Sequence, residues 1–115
     1  MNVTLYHNPR CSTSCKALAL LQERGLKPRV VEYLKHPPSA DELRQIAAAT
    51  GQPLRHLLRT KQPEYAAQGL DNPALTDEQL LAAMTATPAL INRPIVVTDK
   101  GARLGRPLEA MEEVL

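Results

Sequence analysis

The sequence predicts an α/β domain with a mixed four-stranded sheet, assembled from a βαβ half and a ββα half with helices inserted between them. Near the start, short runs alternating between apolar and polar residues flank a segment of helical spacing. Near the end, two further strand-like runs are separated by the turn Asp99-Lys100-Gly101, which predicts a hairpin. A chain of 115 residues suits a single domain, covering residues 1–115, with one core.

The βαβ half begins with Val3 and Leu5 on one face of a strand that ends at the turn Asn8-Pro9. Helix-start residues follow, and apolar residues at helical spacing continue to Gly25, which suits a helix C-terminus. A second strand is predicted over residues 29–34. Two strands joined through a helix in this way are expected to be parallel.

The helical insertion occupies about residues 39–88. Ser39 with Glu42 and Thr76 with Gln79 have the spacing of capping boxes, and each pair predicts the start of a helix. A short helical turn is expected at 54–58, whereas 62–73 is expected to be irregular. The insertion should therefore contain two main helices.

The ββα half starts at Pro94, which suits the entrance of a strand because a β-branched run follows it directly. The fourth strand is predicted at 102–104, antiparallel to the third. Pro107 suits the first turn of a last helix, with Leu108, Met111 and Leu115 on its apolar face.

Composition argues against several classes of protein. A net charge of +2 without a run of Lys or Arg does not indicate nucleic-acid binding. No segment approaches the roughly 18 apolar residues of a membrane span. The N-terminus enters a strand without a signal-peptide pattern, so a cytoplasmic protein is expected. Two cysteines four residues apart are then typical of redox or catalytic chemistry, and no spacing of Cys and His predicts a metal site.

Cys11 is the candidate nucleophile because it stands at, or just before, the first turn of the predicted helix. Unpaired backbone N–H groups and the positive end of the helix dipole favour a thiolate there. Arg10 and Lys16 add positive charge nearby. A turn-to-helix position is also a poor place for a purely structural, buried cysteine.

Four separated motifs resemble those of a known family: Tyr6 to Ser14, Leu57 to Arg59, Ile91 to Val97 and Arg103 to Pro107. They occur within a βαβ–ββα order, which is that of the thioredoxin-like fold. The chain resembles the glutaredoxin-coupled arsenate reductases, and in particular their short, arsenate-reductase-like branch. The resemblance covers essentially the whole chain.

The resemblance implies reduction of arsenate, or a similar oxyanion, with glutathione as co-substrate and glutaredoxin as partner. No bound cofactor is expected, and the protein is expected to be a monomer. It also implies roles for individual residues: Cys11 as nucleophile, His7 as its upstream histidine, Arg59, Arg93, Arg106 and Ser14 as oxyanion-binding residues, and Pro94 as a cis-proline beside the active cysteine. Taken without the resemblance, Arg59 is most often a solvated helix-end charge. His7 could activate or orient the thiolate, but a histidine at a strand end is about as often a plain hydrogen-bonding residue.

Cys15 departs from the family pattern, which has an arginine at this position. Residues four apart on a helix have Cβ atoms roughly 5–6 Å apart, whereas a disulfide needs roughly 3.5–4.5 Å. A strained disulfide between Cys11 and Cys15 is not excluded, because Cys11 stands at the edge of the helix rather than inside it. Cys15 is therefore either a resolving thiol or a passive packing residue.

Other thiol-dependent classes fit the sequence less well. A phosphatase loop needs an arginine six positions after the cysteine, where this chain has Ala17. Glutaredoxins carry Cys-x-x-Cys, but Ser14 stands at the second site. The serious alternative is a Spx-like regulator that shares this fold and binds RNA polymerase, although Spx proteins also typically carry Cys-x-x-Cys. The sequence also leaves open a second alternative, a thiol oxidoreductase that acts on another substrate.

Overall fold

The computed structural model describes residues 2–115. Its elements are, in chain order, β1 (Thr4–His7), α1 (Ser12–Glu23), β2 (Arg29–Glu32), α2 (Ala40–Thr50), a 3-10 turn (Leu54–Leu57), α3 (Pro63–Ala67), α4 (Asp77–Ala86), a second 3-10 turn (Pro88–Leu90), β3 (Ile95–Thr98), β4 (Gly101–Leu104) and a 3-10 helix (Leu108–Val114). The chain forms two compact units. The sheet unit comprises the described residues up to His36 together with Arg93–Leu115, and the helical unit comprises Pro37–Asn92.

The sheet has the order β2-β1-β3-β4, and it confirms the predicted mixed α/β class. β1 and β2 are parallel, with Leu5 opposite Val30, as the βαβ reading predicts. β3 pairs antiparallel with both β1 and β4. The carboxyl ends of β1 and β2 therefore lie side by side at the edge of the sheet where α1 begins.

The core of the sheet unit lies between the sheet, α1 and the C-terminal 3-10 helix. Its fully or nearly buried members are Val3, Leu5, Ala17, Leu21, Val96, Met111 and Val114. Ala17 and Leu21 stand one helical turn apart, so they share the face of α1 that packs inward. This packing fixes the direction of α1, and with it the position of the helix N-terminus.

The helical unit is built from α2 and α4, which contact each other and the 3-10 turn at Leu54–Leu57. The Oγ atom of Ser39 accepts the N–H of Glu42, which caps the start of α2. At α4, Thr76 and Gln79 complete a capping box. The largest fully buried side chains here are Leu43, Leu57, Leu80, Leu81, Met84, Leu90 and Ile91. Within residues 2–115 no helix is long and apolar enough to span a membrane.

Two predictions of local structure were wrong, one a strand boundary and one an irregular segment. β2 ends at Glu32 rather than Leu34, because the carbonyl of Glu32 accepts the N–H groups of both Lys35 and His36 and turns the chain. The segment 62–73, predicted as irregular, contains the short helix α3 (Pro63–Ala67), with proline in its first turn.

The last element differs in type from the predicted α-helix. It is a 3-10 helix, in which Ala110 N–H bonds to the carbonyl of Pro107, three residues earlier. Met111 and Val114 are its buried residues, whereas Leu108 and Leu115 are only partly buried against the core. In a three-residue repeat Leu108, Met111 and Val114 align, so Val114 takes the inward position that the 3.6-residue repeat of an α-helix assigned to Leu115.

Candidate active site

Cys11 is the N-cap residue of α1, as the sequence predicts. Its backbone is extended, with φ −97° and ψ 119°, and its carbonyl accepts the N–H of Cys15 at 3.0 Å. The first turn of α1 contains no acidic residue, so nothing there neutralises the positive end of the helix dipole. The thiol is half-buried and not disulfide-bonded.

Asn8 shapes the loop that presents Cys11. Its carbonyl accepts the N–H of Cys11 at 3.0 Å, and its side-chain Oδ1 accepts the N–H of Arg10 at 3.0 Å. Its own N–H donates to the Oγ atom of Ser14 at 3.1 Å. From sequence, Asn8 is only a turn residue before a proline; the structure shows that it ties both ends of the loop to α1.

Arg106 and Arg93 both reach Cys11. The Nη2 atom of Arg106 lies 3.4 Å from Cys11 Sγ, and the Nε–H of the same guanidinium donates to the carbonyl of Arg93 at 2.6 Å. Arg93 also forms a side-chain hydrogen bond to Cys11. The Arg93–Pro94 and Arg106–Pro107 peptide bonds are both cis. Through these side-chain contacts, Arg93 and Arg106, which lie 13 residues apart in sequence, meet at one sulfur.

These contacts lower the pKa of Cys11. Burial is the largest single influence and by itself raises the pKa, because it disfavours the charged thiolate. A hydrogen bond from the backbone N–H of Ser14, the hydrogen bond from Arg93, and the charges of Arg93 and Arg106 together outweigh burial. Cys11 thus has the electrostatic surroundings of a nucleophilic cysteine rather than of a structural one.

His7 and Ser14 form a buried pair behind the nucleophile. The Nδ1 atom of His7 lies 2.6 Å from Ser14 Oγ, and Ser14 has no exposed surface. Burial lowers the pKa of His7, although the charge of Glu32 and the contact with Ser14 act in the opposite direction. His7 is not among the groups that shift the pKa of Cys11. Because the hydroxyl of Ser14 is buried in these internal bonds, the group that Ser14 presents to Cys11 is its backbone N–H.

Cys15 lies on the exposed surface of the first turn of α1. Its thiol donates a hydrogen bond to the carbonyl of Pro9 at 3.3 Å, and it is not disulfide-bonded. Exposure does not suit the passive packing role that was one of the two readings from sequence. The resolving role stays a prediction.

Arg59 belongs to the helical unit. Its backbone N–H donates to the carbonyl of Leu90 at 2.8 Å, next to the isolated bridge between Leu58 and Ile91. These bonds hold residues 57–59 to 90–92 within that unit. The predicted convergence of Arg59 with the arginines at Cys11 stays a prediction.

Gly105 supports the arginine pair, and no role is evident for it from sequence. Its N–H donates to the carbonyl of Pro94 at 2.9 Å. A Cβ atom on Gly105 would lie 2.7 Å from Pro94 Cγ and 3.1 Å from the sulfur of Met111. Glycine between Leu104 and Arg106 is the only signal in the sequence, and it does not reveal that Pro94 packs at this distance.

The described residues offer an anion site next to a thiolate. Two guanidinium groups and the backbone N–H of Ser14 contact Cys11 at the N-terminus of α1, and guanidinium donors match the geometry of tetrahedral oxyanions. Among residues 2–115, no cluster of three or more His, Cys, Asp or Glu could hold a metal ion. The arrangement is suited to nucleophilic attack by sulfur on a bound anion.

The sheet order, the cysteine at the N-cap of α1 and the Arg93–Pro94 segment define a protein of thioredoxin-like fold that carries a cysteine at a helix N-terminus. Residues 6–114 match the ArsC family model, and the chain belongs to the ArsC family. It is similar to an arsenate reductase of Rhizobium meliloti, with 49% identity over 115 residues that cover 100% of this chain and 82% of the relative.

Two further similarities cover nearly the full length of both proteins. An arsenate reductase of Neisseria meningitidis serogroup A is 46% identical over 114 residues, which cover 98% of this chain and 97% of the relative. The solved structure of an arsenate reductase from Vibrio cholerae superimposes with a TM-score of 0.96 at 43% identity, covering 100% of this chain and 98% of that one. These similarities confirm the family that the four sequence motifs indicate.

Proposed function

We propose that this protein reduces arsenate to arsenite through the Cys11 thiolate, with glutathione and glutaredoxin as the source of electrons. The observation that carries the proposal is the contact of Arg106 and Arg93 with Cys11 Sγ at a helix N-terminus. A thiolate and an oxyanion repel each other in water, so a site that joins them needs fixed positive charge. The names of the relatives, arsenate reductases, supply the substrate.

In the first step, the thiolate of Cys11 attacks arsenic and a sulfur–arsenic bond forms. One hydroxyl group of arsenate takes up a proton and leaves as water. Arg93 and Arg106 hold the remaining oxygens, and each charge-assisted hydrogen bond of this kind contributes on the order of 1.5–3 kcal/mol. Arg59 is proposed as a third ligand of the oxyanion, supplied by the helical unit.

In the second step, the thiolate of glutathione attacks the sulfur of Cys11 in this adduct. A disulfide forms between the two sulfurs, the sulfur–arsenic bond breaks, and its electron pair goes to arsenic. Arsenic is thereby reduced from the +5 to the +3 state and leaves as arsenite. Glutaredoxin then removes the glutathionyl group from Cys11 by thiol–disulfide exchange, and a second glutathione regenerates glutaredoxin.

Cys15 offers a second way to release arsenite from the cysteine–arsenic adduct. If its thiol attacks Cys11 instead, an internal disulfide forms and glutathione need not attack the adduct. A Cys15→Ser variant separates the two routes, because it retains turnover under the first and loses it under the second. Both routes suit a reducing cytoplasm, where thiols stay free.

The test is arsenate reduction coupled to NADPH consumption through glutathione reductase, with glutathione and glutaredoxin present. Wild type is expected to turn over and Cys11→Ser to be inactive. Activity that persists in Cys11→Ser would refute the mechanism. Wild-type protein that folds but does not reduce arsenate, and that instead retains RNA polymerase subunits on a column, would favour the Spx-like alternative.

Sedimentation of the same preparation tests the proposed monomer. A single species at the mass of one chain, 12.6 kDa, is the expected result. A dimer that persists on dilution would contradict it.

A further inference from the structure

A cavity of about 230 Å³ lies beside the loop that leads to Cys11. One wall is formed by residues 7–10, at the end of β1, and the other by Glu32, Leu34 and Lys35, at the end of β2. Because these strands are parallel neighbours, the cavity stands at their carboxyl ends, where open α/β sheets commonly bind ligands. The last wall residue of the loop, Arg10, is bonded directly to Cys11.

The cavity wall carries charges of both signs and an apolar residue. Arg10 and Lys35 are exposed cations on opposite walls. Lys35 contacts Glu32 only loosely, at 3.7 Å, and its side chain is 73% exposed, so this pair is easily exchanged for another partner. Leu34 is 46% exposed, which makes it one of two large hydrophobic residues on the surface of the described chain.

We propose that this cavity binds the thiol co-substrate, a small peptide thiol of the glutathione class. Its two carboxylates match Arg10 and Lys35, its ammonium group matches Glu32, and its methylene groups match Leu34. At about 230 Å³ the cavity is smaller than the roughly 300–1,000 Å³ of a typical ligand pocket, so part of the tripeptide stays in solvent. The inference rests on the proposed function and gives its second step a place on the protein.

The position of the cavity explains how two thiols approach one another. Cys11 Sγ lies against the guanidinium of Arg106, and the cavity adjoins the same loop through Arg10. A thiol held by its carboxylates in this cavity is thereby held beside the loop that carries Cys11 before it reacts. Such positioning raises the rate of exchange by replacing a bimolecular encounter with a local one.

Binding is tested first with S-methylglutathione, which has the charges of glutathione but cannot form a disulfide. In an amide NMR titration, saturable shifts are expected at Asn8, Arg10, Leu34 and Lys35. Two results would overturn the proposal: shifts confined to other residues, or shifts that do not saturate when S-methylglutathione reaches about 10 mM. This titration needs neither arsenate nor turnover.

Reactivity is tested in a Cys15→Ser background by the exchange of Cys11 with oxidised glutathione, which forms the Cys11–glutathione disulfide and releases one glutathione. Lys35→Glu is expected to slow this exchange roughly tenfold. Reaction with the neutral disulfide of 2-mercaptoethanol corrects for any change in thiolate reactivity and should change less than about twofold. Lys27→Glu, the same change of charge on an exposed lysine that does not line this cavity, is the matched control.

Equal slowing of Lys35→Glu with both disulfides, or equal slowing of Lys35→Glu and Lys27→Glu, would refute the thiol site. Failure of the proposed function has a different signature. A protein that binds S-methylglutathione at the cavity but does not reduce arsenate would contradict the arsenate proposal and support the thiol site.

Discussion

Replacing Arg106 by glutamine should make Cys11 a weaker nucleophile at neutral pH. Glutamine retains much of the length and hydrogen-bonding capacity of the side chain but removes its charge, which lies 3.4 Å from Cys11 Sγ. The interaction of unit charges at that distance is about 5 kcal/mol at an effective dielectric constant near 20 and about 1.2 kcal/mol in water. Because Arg106 is exposed, the lower value applies.

An energy of about 1.2 kcal/mol corresponds to a roughly eightfold change in the ratio of thiolate to thiol. The assay is the rate of alkylation by iodoacetamide as a function of pH, in a Cys15→Ser background so that a single thiol reacts. At pH values below the midpoint of the parent's profile the variant should react about eightfold more slowly than the parent, and the midpoint of its own profile should lie at higher pH.

Arg103→Gln is the matched control, because Arg103 lies in β4 near Arg106 in sequence but contacts Glu113 rather than Cys11. Its pH profile should follow that of the parent. If the profiles of Arg106→Gln and the parent superimpose, the charge of Arg106 does not stabilise the thiolate. The electrostatic account of Cys11 would then be wrong.

Three further predictions concern the groups that support Cys11. Ser14→Ala should lower the free energy of unfolding by about 1–3 kcal/mol in urea titrations, because it leaves a backbone N–H and His7 without their buried partner. Gly105→Ala should cost about 1–3 kcal/mol by the same measurement and also reduce turnover, since its methyl group would meet Pro94 at 2.7 Å; unchanged stability would contradict that contact. By NMR, the pKa of His7 in the folded protein should lie below the ordinary value of about 6.5. The contribution of neutral His7 to the free energy of unfolding is then fully present above about pH 6.5 and is lost as the pH falls through the pKa of the folded protein.

The local features of the first half were readable from sequence because they depend on neighbouring residues. The two-residue period of β1, the start of α1 and the position of Cys11 at its N-cap follow from strand periodicity and helix-capping preferences. The hairpin of β3 and β4 likewise follows from the turn between them. The family was readable too, since four motifs in a fixed order are a specific signal.

Boundaries and helix type were less predictable because tertiary contacts decide them. β2 stops at Glu32 where its carbonyl is taken by the turn at 35–36, and the last helix winds as a 3-10 helix that buries Met111 and Val114 against the core. Periodicity carries no information about either choice. The exposure of Cys15, which does not suit a packing role, also became visible only in the fold.

The sequence by itself determined that a cysteine would stand at a helix N-terminus in a mixed sheet, because that position depends only on residues a few places away. The tertiary structure alone decided which charges reach its sulfur. Arg106, 95 residues after Cys11, approaches Sγ because β4 and the turn that follows it bring the chain back towards the start of α1. Likewise, the packing of Gly105 against Pro94 is a contact within the sheet unit that no local sequence pattern encodes.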